Sequence, residues 1–182
     1  MNNLSFSSPS FSVLTVGKGD RPERAYSKIA LHPGECVALE THDEVPCFYG
    51  KKGCFLAGEI FSADSALDGS SIEEVKKELS SKGINPEELE VYLAPCLTFS
   101  HTIVDEKTIE KVIGLGYREA CKRTDGVDFL DVPLIVLIQF RRLGVKMENI
   151  RLSSYDTSEN PSLLYSKSNG DFEKNLNVAT LR

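Results

Sequence analysis

Apolar and polar residues alternate with a period of two along Ser10-Phe11-Ser12-Val13-Leu14-Thr15-Val16, the pattern of a strand with one buried face. The residues before it, from Met1 to Ser12, are polar and Ser-rich with scattered Phe. Gly17-Lys18-Gly19-Asp20 reads as a turn, and Tyr26 to Leu31 as a second strand. His32-Pro33-Gly34-Glu35 has turn chemistry, and Cys36 to Leu39 follows as a short buried strand. Val45–Tyr49 and Cys54–Ala57 predict a hairpin around Gly50-Lys51-Lys52-Gly53.

The period then changes to that of a helix. Ser71-x-x-Glu74 forms a capping box, Ile72, Val75 and Leu79 make an apolar stripe, and Gly83 is placed to end the helix. Asn85-Pro86 opens a short helical turn that leads into a strand over Leu89–Leu93. Asp105 caps a second helix, with Ile109, Val112, Ile113 and Tyr117 facing inward and Gly114 and Gly116 weakening it. Asp131 and Pro133 open a third. Leu134 to Phe140 is apolar nearly all round, so a buried strand rivals the helix there. The cap, the length and the Arg141-Arg142 end before Gly144 favour the helix. Ile150–Ser153 and Asn175–Leu181 are closing strands. The sum is an α/β fold, a mixed sheet layered against helices.

Composition narrows the class. A chain of 182 residues and 20.1 kDa, with 41% hydrophobic and 26% charged residues, predicts one globular domain spanning 1–182. The net charge of −6, with the 21 Lys and Arg spread out, argues against a nucleic-acid or membrane-surface partner. No apolar run is long enough to span a membrane, and the N-terminus has no signal-peptide pattern. Five cysteines without a C-x-x-C suit reduced thiols, so a cytoplasmic location is expected.

The candidate chemistry gathers in Tyr92 to Lys107. An apolar entry runs into Ala94-Pro95-Cys96, where Pro95 has no amide hydrogen for a ladder. The chain there presents Cys96, Thr98, Ser100 and His101 before Asp105 starts a helix. This stretch resembles the G-P-x-I-x-P-C-[CH]-Y-E-V segment of the laccase-domain family. These are the YfiH-like proteins, called multicopper polyphenol oxidoreductases and purine nucleoside phosphorylases. Ala94-Pro95 stands for the Gly-Pro and Ser100-His101 for the Cys-Cys/His pair. Downstream, Leu130-Asp131-Val132, Leu143-Gly144-Val145 and Glu148-Asn149-Ile150 are similar to the family's L-D-L, A-G-V and E-N-I. Leu163 to Gly170 falls where the family has F-F-S-Y-R-R-D-G.

The resemblance implies a layered α/β fold, shared with the catalytic domain of the cytotoxic necrotizing factor toxins, in a domain shortened at its N-terminus. It also implies one zinc held by two His and one Cys, leaving a position for water or substrate. Gly34-Glu35-Cys36 matches the family's A-D-C, making Cys36 the metal thiolate and catalytic candidate. The H-A-G-W-R-G motif falls on Leu56-Ala57-Gly58-Glu59-Ile60-Phe61, so Leu56 replaces a zinc histidine. Val16 to Asp20, nearest to the remaining histidine motif, holds no His. Zinc binding is therefore expected to be weak or absent. Three histidines cannot supply several copper centres.

Other arrangements stay open. Cys36 fits a buried structural thiol, a site rebuilt with His32 and His42, or a nucleophile paired with His101. Cys96 is a further thiol candidate. Lys167 and Lys174 fit either phosphate-binding or surface lysines; Arg141-Arg142 suits a helix end. Two functions follow as expectations. One is an enzyme taking purine nucleoside and phosphate, or deaminating adenosine. The other is a non-catalytic member of the fold that binds or regulates a partner.

Overall fold

The computed structural model describes residues 3–19, 21 and 26–182. In chain order the first strands are β1 (Asn3–Ser7), β2 (Phe11–Val16), β3 (Ile29–Ala30), β4 (Cys36–Thr41), β5 (Val45–Lys51) and β6 (Phe55–Phe61). Helices α1 (Ala63–Asp68) and α2 (Ser70–Lys82) follow, then β7 (Glu90–Leu93), β8 (Ile103–Val104) and α3 (Glu106–Gly114). The chain closes with β9 (Cys121–Thr124), β10 (Val127–Leu130), α4 (Val132–Leu143), β11 (Ile150–Leu152) and β12 (Asn175–Leu181).

Three layers result. One sheet runs β1-β2-β12-β4, antiparallel throughout. A mixed sheet runs β11-β7-β5-β6-β3, with β11 parallel to β7 and the other pairs antiparallel. Period-two alternation splits β5 between two cores. Phe48 packs toward the first sheet, with Phe11, Val37, Leu56 and Leu181. Cys47 and Tyr49 face the helices, with Val75, Leu79, Ile135 and Phe140. Gly58 lets the two sheets close up: a Cβ there would stand 3.1 Å from Leu39 Cδ1 and 3.2 Å from Phe48 Cδ1. A separate three-stranded sheet, β8-β10-β9, carries an Asp125-Gly126 turn.

The α/β reading holds, and α4 settles the ambiguous apolar run as a helix. Asp131 accepts the Leu134 amide at 2.9 Å, and Gly144 closes the other end. Asp105 likewise caps α3, and Asn85 caps the turn at Pro86–Glu88.

Several expectations are corrected. Ser71 is not the cap of α2; Gly69 is, and Ser71 donates to the Ile60 carbonyl at 3.0 Å. The capping box lies earlier, between Ser62 and Ser65, and opens α1, a helix the sequence reading lacks. Gly50 sits inside β5, so the hairpin turn falls at residues 52–54. The strand expected over Tyr26–Leu31 shrinks to β3, which pairs with Leu56 and Ala57, because Ser27 turns instead to a parallel bridge with Val37 of β4. Ile113 is exposed rather than inward. The Ser-rich N-terminus forms β1, whose Phe6 stacks on Tyr92 with ring centroids 3.9 Å apart. Asp20, the last residue of the expected Gly17 turn, and Met1 lie outside the described residues.

Candidate functional site

The polar crossing after β7 meets the loop after β11 at one buried carboxylate. Asp156, 3% exposed, accepts from the Thr98 amide at 2.7 Å and the Thr98 hydroxyl at 2.6 Å. Its other oxygen accepts from the Ser158 amide and hydroxyl, both at 2.7 Å, and from the Glu159 amide at 3.1 Å. Burial pushes its pKa up, but the hydrogen bonds from Thr98, Ser158 and Glu159 outweigh that and bring it down to about 2. His101, in the 3₁₀ turn Phe99–His101, places Nδ1 3.3 Å from Asp156 Oδ2 and 3.1 Å from Ser100 Oγ. Its Nε2 lies 3.9 Å from Glu159 Oε1. A buried carboxylate thus orients a half-exposed imidazole, an arrangement able to exchange a proton with a bound group.

A second carboxylate extends the site. Asp43 accepts from the Thr157 hydroxyl at 2.7 Å and the Ser168 amide at 3.2 Å. Four loops, around residues 43, 98, 156 and 168, are therefore tied together. Sequence reading singles out His101 but not Asp156 or Asp43. The signal for Asp156 is local: Asp-x-Ser, whose carboxylate takes the amide two residues on.

The family model for the multi-copper polyphenol oxidoreductase laccases matches residues 65–173, more than half of the chain. The chain belongs to this family. The solved structure of Bacillus licheniformis hypothetical protein YfiH is 18% identical, with a TM-score of 0.74 over 85% of this chain and 60% of that one. YlmD from Geobacillus stearothermophilus is 19% identical, with a TM-score of 0.72 over the same shares. The Neisseria meningitidis protein NMB0706, of the DUF152 family model, is 12% identical, with a TM-score of 0.77 over 100% of this chain and 99% of that one. At these identities the likeness is one of fold. The chain spans about three-fifths of the length of the YfiH and YlmD structures. No curated protein matches the sequence.

In this laccase domain the residues that the sequence resemblance matches to metal ligands do not converge. Cys36 is buried on β4, its Sγ 3.3 Å from Thr180 Oγ1 and 3.7 Å from the Gly34 carbonyl. It packs with Val16, Leu176 and Val178, on the outer face of the first sheet. Leu56, which the sequence resemblance matches to a histidine, is fully buried on the other side, among Phe11, Val37 and Phe48. Strand alternation explains the split, since Cys36 and Val37 must point to opposite faces. Among the described residues, no group of three His, Cys, Asp or Glu is placed to hold a metal ion. The donor set does not fit the zinc centre that the sequence resemblance implies.

The remaining candidates are dispersed as well. Cys36 stands at the far end of β4 from Thr41, five strand steps or about 16 Å away. Thr41 is the end that adjoins Asp43 and the His101 cluster, so Cys36 and His101 are not brought together. His32 lies in an exposed turn beside Glu35, and His42 reaches the Phe172 carbonyl at 3.2 Å, beyond the opposite end of β4 from His32. Cys96 is buried, and burial first, then the charges of Asp156, Asp131 and Asp43, push its thiol well above the ordinary range. Lys167 and Lys174 are both exposed, and the Lys174 carbonyl accepts from Arg21. Among the described residues, no helix is long and apolar enough to cross a membrane.

Proposed function

We propose that this laccase-domain chain acts as a binding or regulatory protein and does not carry out zinc-dependent purine nucleoside chemistry. The observation that supports it is the separation of the two residues that the resemblance matches to ligands: Leu56 is fully buried between the sheets, and the Cys36 thiol lies on the outer face of the first sheet. A metal held by one thiolate binds weakly and offers no ordered Lewis acid.

A second reading rests on His101. Its orientation by Asp156 suits a proton-transfer step on a nucleoside without a metal. Phosphate-dependent release of purine base from adenosine and inosine, and deamination of adenosine, distinguish the readings. The assays are run with added zinc beside Cys36→Ala and His101→Ala. The expected result is no turnover and no zinc retained after purification. Turnover abolished by Cys36→Ala would restore the zinc enzyme. Turnover abolished only by His101→Ala would establish the second reading.

A further inference from the structure

The outer edge of β1 presents backbone groups to an empty trough. The β1–β2 hairpin closes with the Ser8 amide donating to the Phe11 carbonyl at 2.9 Å. Alternation along the antiparallel ladder then turns the amides and carbonyls of Phe6 and Leu4 toward Val13 and Thr15, and those of Asn3, Ser5 and Ser7 away from β2. Among the described residues β1 pairs with β2 alone, and no hydrogen bond reaches those outward groups. The strand, Asn-Leu-Ser-Phe-Ser, has no charge, proline or bulge to guard its edge. Such an edge is a template for another extended chain.

The second sheet supplies a floor. Phe6 stacks on Tyr92, so β1 lies over β7. β11 stands one strand further out, beside β7, and among the described residues the first sheet has no strand over it. The trough above β11 has two ends that meet at Phe6. One, of about 400 Å³, is lined by Leu4, Tyr92, Leu152 and Tyr155 with serines and an asparagine, and by no charged residue. The other, of about 200 Å³, holds Glu90, Glu148 and Arg151. Glu90 Oε2 accepts from the Ser8 hydroxyl at 2.7 Å and the Ser10 amide at 2.8 Å. The Arg151 guanidinium turns back to the Ile150 carbonyl at 3.0 Å, and neither glutamate has an ion-pair partner among the described residues. That end is therefore acidic.

The geometry points to a peptide-docking groove: an extended segment adds antiparallel to β1, over β11, with a basic, a small and an apolar residue at alternate positions, in that order. Every second side chain of an added strand faces the floor. Running against β1, those side chains pass Ser8, Phe6 and Leu4 in turn. Beside Ser8 they meet the carboxylates, beside Phe6 the stacked ring, and beside Leu4 the neutral pocket. Pairing with Asn3, Ser5 and Ser7 holds the backbone, and the two ends select the side chains. A second copy pairing β1 with β1 would bring its own β7 to the place of β11, so the occupant is a single strand. The inference rests on the binding reading and names its class of partner.

The test uses the full chain and a fluorescent Thr-Arg-Thr-Ser-Thr-Phe-Thr peptide. The isomer Thr-Arg-Thr-Ser-Phe-Thr-Thr, which turns its Phe to the other face, is the control of equal charge. Fluorescence polarisation is expected to show the first peptide binding about tenfold more tightly than the isomer. Backbone amide exchange should slow over Asn3–Ser7. Ser5→Pro removes an outward amide hydrogen and no ladder bond, so it should weaken binding about tenfold with the fold kept, which circular dichroism checks. Glu148→Gln, at an exposed position, should weaken it about threefold, and Glu110→Gln, outside the groove, should not. Equal binding of the isomer, amide protection elsewhere, indifference to both Ser5→Pro and Glu148→Gln, or no binding would overturn the inference. Nucleoside turnover together with peptide binding would remove the binding-only reading and leave the groove. Absence of both would remove the groove and leave that reading.

Discussion

Asp156 shows how much one side chain holds in this protein. Its five hydrogen-bond donors come from Thr98, Ser158 and Glu159, so it fastens the crossing that carries His101 to the loop after β11. Its carboxyl titrates near 2 in the folded protein, below the usual 3.8. The stabilisation is therefore fully present above about pH 4 and is lost as the pH falls toward 2, an effect of about 2 kcal/mol. Urea unfolding at a series of pH values from 5 to 2 should show this loss in the wild type and a flatter dependence in Asp156→Asn. At neutral pH that variant should be about 3 kcal/mol less stable, because its amide turns donors toward donors. Comparison with the variant isolates Asp156 from Glu59 and Asp131, both raised chiefly by burial. If the variant kept the wild-type slope, Asp156 would not be the group that titrates.

At the scale of elements, the α1–α2 junction separates what a sequence pattern reveals from what it hides. Ser71-x-x-Glu74 satisfies the capping-box spelling, yet the Ser71 hydroxyl donates to the Ile60 carbonyl, and the box that forms uses two serines, Ser62 and Ser65. Ser62→Ala should cost about 1 kcal/mol and fray α1. Urea unfolding measures the cost, and faster amide exchange over residues 63–68 would locate it. An unchanged midpoint would return the junction to Ser71. Elements whose signals are purely local were legible: α4 between Asp131 and Gly144, the end of α2 at Gly83, the edges of β2 and β12. β1 was not, because its alternation of Leu4 and Phe6 with serines gains meaning only once Phe6 stacks on Tyr92. The small sheet β8-β10-β9 was missed although Asp125-Gly126 is a hairpin signal. His101 was legible through its place after Pro95-Cys96. Asp156, 55 residues further on, was not, since only tertiary folding brings the two together.

For the whole molecule, the layering decides whether the family's metal centre could be recovered. Leu56 belongs to the core between the sheets, and Cys36 faces outward from the first sheet. Leu56→His, the residue that the resemblance matches there, therefore places an imidazole among Phe11, Val37 and Phe48, with the Cys36 thiol on the far side of the first sheet. A buried polar ring without a partner costs about 2 kcal/mol or more. Leu56→His should accordingly lower the unfolding midpoint, and zinc should not raise it again. Were the centre only dormant, binding would stabilise the fold by RT ln(1 + [L]/Kd), about 2.7 kcal/mol at a hundredfold excess over Kd. Thermal unfolding of Leu56→His with and without zinc reads this directly. A zinc-dependent recovery abolished by Cys36→Ala would mean that the two positions can meet after all. A midpoint indifferent to zinc means that the packed core around Leu56 does not admit a metal, so that function in this chain has to be sought at its loops.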